Sequence, residues 1–482
     1  MTPEDFLAIL PITALTVWAC VLLLIEAFLP PRGKPAVPWL TALGLLVALA
    51  VVVLVPPPSE AAFGGMIRVD GFGRFLEALF LLAGLLAVPL AVDYNQRRGI
   101  ARGEYYLLLL FSIVGMMLMA IAADLLLVFL ALELLSIPLY VLAAFAWPRA
   151  ESEESGMKYF LLGAFASAFF VYGTALVYGT TGTTNLYAVL EALVVPDVDM
   201  AVLAVAGAML LVGLGFKVAA VPFHMWTPDV YDGAPSSAVA FMAVGAKAAG
   251  FAVLLRLLLT GFPLATEVWG PMLAIVSALT MIWGNVAAIA QTSIKRMLAY
   301  SSIAHAGYLL MAVSAGATMA APGSASAALF YLLAYGVTTI GAWSVVVALE
   351  RFDGTGTTID SYAGLGRRRP WIALAMTVFM LSLIGVPPTL GFLGKFLVFG
   401  ATVDAGLIAL AVIGVLTSLV SAFYYLRVVV TMYMRGGEPE TSRERWLTAV
   451  IALTALATFL LGLLPGPLLE LAAQAGLSGV IP

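Results

Sequence analysis

Charged residues, cysteines and histidines are all scarce in this sequence of 482 residues. Asp, Glu, Lys and Arg make up only 10 % of the chain, whereas hydrophobic residues make up 63 %. Soluble domains carry roughly a quarter charged residues and are about half apolar. So few charges could not cover the apolar surface of a soluble protein of this size. The composition therefore indicates a membrane protein whose solvent is lipid.

The scarce residue types also exclude several kinds of site. The single cysteine, Cys20, lies in an apolar run, which excludes an internal disulfide, a cysteine-ligated iron–sulfur cluster and a thiolate zinc site. Two histidines, His224 and His305, are too few for a pair of bis-histidine haems. The chain has no GxGxxG, Walker or HExxH motif, and its net charge of −4 gives no sign of nucleic-acid binding. We therefore expect no metal site, no cofactor site and no nucleic-acid partner.

Long apolar runs dominate what is present. A helix needs roughly 20 apolar residues to cross a bilayer, and cutting the runs at charged, proline-rich or glycine-rich positions predicts an all-α protein with about fourteen transmembrane segments. In order, the segments are 5–28, 36–55, 72–93, 104–123, 124–147, 155–179, 200–227, 235–260, 267–290, 297–316, 325–350, 370–402, 404–433 and 446–470.

Basic residues are distributed unevenly between the two sets of loops. Seventeen lie in or beside loops that follow odd-numbered segments, and two lie in loops that follow even-numbered segments. Because basic loops stay in the cytoplasm, the odd loops are expected inside and both termini on the outer side. The expected location is a bacterial inner membrane.

The order of the segments suggests an inverted repeat. Segments four to eight (104–260) and nine to thirteen (267–433) each contain five spans, and an odd number forces the second copy to begin on the opposite side. They leave an N-terminal three-helix unit (1–103) and a C-terminal unit (434–482). The fourth member of each set is interrupted, in GFKVAAVPFHMW and in LSLIGVPPTLGFLGKF. Broken helices at matching positions point to an ion or substrate site, although two ordinary proline kinks would give the same pattern.

Four ionisable residues lie deep within the predicted spans: Glu133, Lys217, Lys247 and Lys395. Each costs at least roughly 2.5–3.5 kcal/mol at mid-bilayer unless it is paired or hydrated. Snorkelling does not account for Lys247, which is far from both segment ends, although we expect it for Arg256. An ion pair between Glu133 and Lys217 that opens and closes would act as a proton switch. His224 and His305 are candidates for a proton relay, and each is equally compatible with an ordinary interior imidazole.

These residues lie in motifs that resemble a known family. The resemblance is carried by ELLSIPLYVLAAF from Glu133, the KYFLLGAFASA text, GFKVAAVPFHMWTPDVYDGAP from Gly215, QTSIKRMLAYSSIAHAGY from Gln291 and GVPPTLGFLGKF from Gly385. They are similar to the N-type antiporter-like membrane subunits of the proton-pumping NADH:quinone oxidoreductase, respiratory complex I. The likeness runs from about residue 100 to 430.

The resemblance implies a proton-translocating subunit of an enzyme whose redox chemistry lies elsewhere. Glu133 and Lys217 match the family's paired acid and lysine, Lys247 the connecting residue, and Lys395 the lysine of the second half. FMN, iron–sulfur clusters and quinone would be bound by partner subunits, and the expected neighbours are M-type and K-type membrane subunits together with lipid. One departure is that segment ten carries His305 and no acid, so the second half lacks a counterpart of Glu133.

Two other functions stay open at the level of sequence. The chain could be a stand-alone or Mrp-type cation/proton antiporter subunit, although only Glu133 offers a deep carboxylate for a metal cation. It could also belong to the membrane arm of a related ferredoxin- or hydrogenase-linked complex, which would look almost the same. The electron donor, the quinone and the proton stoichiometry cannot be read from this chain.

Overall fold

The computed structural model describes residues 3–56, 60–193, 199–262, 266–318, 320–321, 323–442 and 444–477. Its helices, in chain order, are α1 (Pro3–Ala8), α2 (Leu10–Phe28), α3 (Val37–Leu54), α4 (Gly71–Arg97), α5 (Glu104–Ile121), α6 (Leu125–Ala143), α7 (Ala150–Thr181), α8 (Leu186–Leu193), α9 (Met200–Val218), α10 (Trp226–Gly233), α11 (Ser236–Met242), α12 (Gly245–Arg256), α13 (Thr266–Ile289), α14 (Ile294–Ala315), α15 (Ser324–Leu349), α16 (Leu365–Arg368), α17 (Pro370–Ile384), α18 (Leu390–Asp404), α19 (Ile408–Met434), α20 (Arg445–Leu463) and α21 (Gly466–Gln474). Two short antiparallel strands, β1 (Ala61–Ala62) and β2 (Ile67–Arg68), form a hairpin before α4.

The all-α membrane architecture expected from the composition is confirmed. Thirteen helical stretches among the described residues are long and apolar enough to span a bilayer. The remaining predicted segment, 370–402, is divided between α17 and α18, which have 15 residues each. The thirteen stretches and this divided segment together account for all fourteen predicted segments.

Three helices form the centre of the bundle. Every residue of α12 is buried, and almost every residue of α14 and α15 is buried with it. The peripheral helices α2, α3, α7, α13, α19 and α20 expose large apolar side chains instead. An exposed apolar face suits contact with lipid. The peripheral helices therefore separate the polar residues of the central helices from the bilayer.

Both predicted breaks are present, and each ends a helix in the left-handed backbone conformation. At the first, α9 ends at Val218, Ala219 has a φ of 62°, and α10 begins only at Trp226. At the second, α17 ends at Ile384 and Gly385 has a φ of 92°. Proline prevents either helix from continuing because it lacks a backbone donor and clashes with the preceding turn.

The predicted segment 235–260 is confirmed as one span, Ser236–Gly261. Within it the chain forms α11 and α12 with a turn at Ala243 and Val244 between them, followed by a π-helical turn at Leu257–Gly261. The apolar pattern did not indicate this turn because no proline lies near it. Gly245 approaches Met116 so closely that an added Cβ would lie 2.7 Å from the sulfur atom.

The C-terminal boundary of the last predicted segment, 446–470, is wrong. Helix α20 ends at Leu463, and α21 is a separate short helix. Pro465 and the following glycine interrupt the backbone there, as expected for residues that do not sustain a helix.

The loops gather in two sets at opposite ends of the bundle. The loops after even-numbered segments contact one another, as in the bridges from Ile67 to Ala122 and from Asp124 to Asn185. The N-terminal helix joins this set, since the backbone N–H of Phe63 donates to the Asp5 carboxylate at 2.7 Å. The loops after odd-numbered segments meet at the other end, where Arg98 donates to the carbonyl oxygen of Arg351 at 2.6 Å. This grouping agrees with an even number of spans.

Candidate functional site

The first buried lysine lies at the end of a broken helix. Lys217 is the penultimate residue of α9, and it is 4 % exposed. Its Nζ donates to the Ser136 hydroxyl at 2.7 Å and to the Tyr159 hydroxyl at 3.5 Å. The left-handed conformation of the nearby Ala219 costs an L-residue about 1–2 kcal/mol. The backbone two residues after Lys217 is therefore strained.

Glu133 is half-buried on α6, one helical turn before Ser136. Its carboxylate accepts a hydrogen bond from the Ser167 hydroxyl of α7 at 2.5 Å. The acid and Lys217 are thus held by different serines and not by each other. The structure describes the separated arrangement of the proposed switch, with the Ser136 hydroxyl on the lysine side.

Lys247 is the third residue of α12, directly after the turn that divides its span. The side chain is 3 % exposed, its Nζ donates to the main-chain carbonyl oxygen of Ser302, and it lies 5.5 Å from the centre of the Tyr335 ring. The Tyr335 hydroxyl donates to the Ser302 side chain at 2.8 Å. Ser302 therefore contacts both Lys247 and Tyr335.

His305 lies between the second and third lysines. Its Nδ1 is 2.6 Å from the Tyr331 hydroxyl and its Nε2 is 3.2 Å from the Tyr425 hydroxyl. Its ring also contacts Tyr335 on one side and Tyr308 on the other, with centroids 5.1 Å and 5.7 Å away. Both ring nitrogens thus have hydroxyl partners, and such partners can donate or accept.

Lys395 points into the protein and is 4 % exposed. Its Nζ donates to the carbonyl oxygen of Ile384 at 2.9 Å and to the Ser418 hydroxyl at 2.8 Å, and it lies 4.6 Å above the Tyr308 ring. Ile384 ends α17, so the break frees the carbonyl that binds the lysine. Gly385 is required beside it, because a Cβ there would lie 2.9 Å from the Lys395 side chain.

The three lysines are connected unevenly. Polar and aromatic contacts run from Lys247 through Ser302, Tyr335, His305 and Tyr308 to Lys395. Between Lys217 and Lys247 most of the contacts are between aromatic rings. Tyr159, which binds Lys217, stacks on Trp226, Trp226 contacts Tyr231, and Tyr231 interacts with the Ser302 side chain. Within the described ranges, hydrogen bonds alone do not cross this interval, so the lateral line depends on ring contacts there.

The two histidines differ in their surroundings. His224 lies in the break between α9 and α10, where its ring contacts Trp283 with a centroid distance of 5.9 Å. Among the described residues its buried Nδ1 has no hydrogen-bond partner. Unlike His305, it is not in contact with any of the three lysines through the hydrogen bonds and ring contacts above.

Two features of these surroundings were not predicted. The first is the set of hydroxyl-bearing residues that contact Glu133, His305 and the three lysines: Ser136, Tyr159, Ser167, Ser302, Tyr308, Tyr331, Tyr335, Ser418 and Tyr425. The SS of AYSSIAHAGY and the spacing of Ser136 from Glu133 were available signals. The second is Arg256, which does not snorkel: it is 1 % exposed and forms a bidentate ion pair with Asp70, both distances being 2.8 Å.

A helical membrane bundle with broken spans and buried lysines defines an antiporter-like ion-translocating protein. Residues 122–421 match the family model described as "NADH:quinone oxidoreductase/Mrp antiporter, TM". The chain belongs to this family. It is 45 % identical to NADH-quinone oxidoreductase subunit N of Chloroflexus aggregans, over 97 % of this chain and 96 % of that protein.

Two solved structures have a similar fold. A chain of respiratory complex I from Thermus thermophilus has a TM-score of 0.82 and 41 % identity, and the match covers 96 % of this chain and 99 % of that one. A chain of the Mrp complex from Dietzia sp. DQ12-45-1b has a TM-score of 0.85 at 22 % identity, with 99 % and 97 % covered. The fold is therefore common to both kinds of complex, whereas the high sequence identity is to the NADH:quinone oxidoreductase subunits.

Proposed function

We propose that this chain is the N-type, proton-translocating membrane subunit of an NADH:quinone oxidoreductase. The observation that carries the proposal is the burial of three separate lysines, each bound by neutral hydroxyl or carbonyl acceptors. A structural spacer would not need three such costly residues. A serine hydroxyl can accept a hydrogen bond from an ammonium group and donate one to a neutral amine. Lys217 and Lys395 each donate to such a serine, Ser136 and Ser418. Both hydroxyls now donate to main-chain carbonyls, of Leu132 and Ile384, so each must rotate to receive a neutral lysine.

In the proposed mechanism Glu133, Lys217, Lys247 and Lys395 carry protons in series. Glu133 moves between Ser167 and the neighbourhood of Lys217. The neutral lysine is favoured when the carboxylate is at Ser167, and the charged lysine when it is near Lys217. His305 relays between Lys247 and Lys395 through its tyrosine partners, and it takes the place of an acid in the second half. Water bridges the aromatic interval between Lys217 and Lys247 during transfer.

The energy source lies outside this chain. We propose that NADH oxidation and quinone reduction occur in partner subunits that bind FMN, iron–sulfur clusters and quinone. M-type and K-type subunits are the proposed membrane neighbours, and the odd loops face the cytoplasm of a bacterial inner membrane. Moving one charge against the membrane voltage costs about 2.3 kcal/mol per 100 mV, so coupling supplies at least this amount for each proton.

The test compares two substitutions of one lysine in the assembled complex, with proton uptake measured in inverted membrane vesicles driven by NADH. Lys217→Ala should lose most of the uptake because it removes a carrier. Lys217→Arg should also fail, because arginine does not release its proton at accessible pH. Lys34→Ala removes a lysine that is 46 % exposed and paired with Glu26, and should pump normally. Wild-type uptake in Lys217→Arg would show that Lys217 is a fixed charge.

A further inference from the structure

A polar cavity of about 350 Å³ opens at the end of the bundle where the odd loops meet. Most of the side chains that line it are charged, and they come from helices α7, α10 and α14 and from the loops after α4, α6 and α15. Its rim is held by ion pairs, among them Lys158 with Asp229 at 2.6 Å. A cavity with this lining holds water.

Two charged residues in the cavity wall are buried rather than exposed: Glu350 and Lys295, each 4 % exposed. Glu350 directly follows α15. Its carboxylate accepts a hydrogen bond from the Ser236 hydroxyl at 2.5 Å and one from the Tyr94 hydroxyl at 3.1 Å, and it lies 3.4 Å from the guanidinium group of Arg98. Ser236 begins the span that contains Lys247, so the carboxylate joins the cavity to the base of that span.

Arg98 has acceptors other than Glu350. The guanidinium group also donates to the carbonyl oxygens of Arg351 at 2.6 Å and Phe352 at 2.7 Å. If the carboxylate is protonated, the arginine keeps these two acceptors and is not left without partners. In an isolated buried ion pair, by contrast, neutralising one partner leaves the other charge without any partner.

A further group beside the carboxylate is incompletely bonded. The Tyr362 side chain is fully buried, and among the described residues its hydroxyl has no hydrogen-bond partner. Burial and then the charge of Glu350 raise the pKa of Tyr362 above its usual value, so the hydroxyl stays protonated. A buried hydroxyl of this kind accommodates a bridging water molecule.

We infer that Glu350 is a proton-loading residue at the floor of this cavity. Hydronium in the cavity water protonates the carboxylate, forming an O–H bond on Glu350 and leaving water. That bond breaks when a neutral amine deeper in the protein takes the proton, and Lys247 is the amine on the span that begins at Ser236. The inference rests on the proposed proton-translocating function and adds a carboxylate to the four residues named there.

The competing explanation is that Glu350 and Arg98 only anchor the loop after α15. The deciding variant is the double substitution Glu350→Gln, Arg98→Gln, which removes both charges of this pair together. Lys295, the other buried charge that interacts with Glu350, is left in place. In the assembled complex, proton uptake per NADH oxidised should fall to a small fraction of wild type in Glu350→Gln and in the double variant. Glu350→Asp should restore part of it, because the carboxylate is kept. Glu154→Gln, on the cavity rim and 64 % exposed, should behave as wild type.

Wild-type uptake in the double variant would overturn the inference and leave a loop anchor. Lys217→Ala, measured in the same vesicles, separates this result from failure of the proposed function. If Lys217→Ala loses uptake while the double variant pumps normally, only the role of Glu350 is wrong. If Lys217→Ala also pumps normally, the proposed function itself fails.

Discussion

The three buried lysines differ in the acceptors that hold them. Lys217 binds a serine hydroxyl, Lys247 binds a main-chain carbonyl, and Lys395 binds one of each. A carbonyl oxygen only accepts, whereas a hydroxyl can accept or donate. In the proposed mechanism Lys247 exchanges its proton through another neighbour, and the Ser302 and Tyr335 hydroxyls connect it with His305.

The two histidines should respond differently to removal. We expect His305→Ala to lose most NADH-driven proton uptake, because it removes the contacts that connect Lys247 with Lys395. His224→Ala is the matched control and should retain uptake, since its ring lies outside this series. The measurement is proton uptake in vesicles at equal amounts of assembled complex. Equal loss in both variants would contradict a relay specific to His305.

At the scale of the elements, the breaks determine where the charged groups lie. The end of α17 supplies the Ile384 carbonyl to Lys395, and the turn before α12 places Lys247 in its first helical turn. A continuous helix would use such a carbonyl in its own backbone hydrogen bonds. The second break thus provides an acceptor that a regular helix does not have.

Gly385→Ala should disturb the second break. Its φ of 92° is costly for an L-residue, and the added Cβ would lie 2.9 Å from Lys395. We expect a loss of about 1–2 kcal/mol of stability from the backbone alone and reduced proton uptake from the displaced lysine. Gly400→Ala is the control, because that glycine in α18 has no neighbouring atom within 4 Å. Thermal unfolding and proton uptake of both variants provide the test.

At the scale of the whole molecule, an ion pair joins distant parts of the chain at the even-loop end. Arg256 of α12 binds Asp70, which caps α4, and also donates to the Ala120 carbonyl of α5 at 3.0 Å. Asp70→Ala should cost about 3 kcal/mol, because it leaves a buried arginine without its acid. The double variant Asp70→Ala, Arg256→Leu should recover much of this loss in thermal unfolding of the complex. An Asp70→Ala protein as stable as wild type would contradict a stabilising pair.

The same ion pair predicts a pH dependence. Burial of Asp70 opposes its ionisation, but the charge of Arg256 and hydrogen bonds from Arg256 and Gly73 outweigh it and hold its pKa below the ordinary 3.8. The pair's contribution is therefore present above that pH and is lost as the pH falls through the lower, folded-state value. The difference in melting temperature between wild type and Asp70→Ala should shrink below pH 3.8, because protonation of Asp70 also leaves Arg256 without its acid. A difference that persists there would contradict the sign of the shift.

Topology can be tested on the intact chain. Reporter fusions at residue 482 should give an outside signal and fusions at residue 360 an inside signal, because the basic residues of the loops lie almost entirely in the odd loops. An inside signal at the C-terminus would imply an odd number of spans. That result would also remove the basis of the inverted-repeat prediction, which depends on two five-span sets.

Composition, hydropathy and proline positions alone determined the solvent, the number of spans and the location of two breaks. These features are local, since twenty apolar residues or a Pro387-Pro388 pair act on the backbone wherever they occur. The structure alone decided which side chains meet: the serine partners, the central position of His305, the Arg256–Asp70 pair and the turn before Lys247. Such contacts join residues far apart in the chain, and one span's hydropathy carries no information about the polar atoms that another span presents to it.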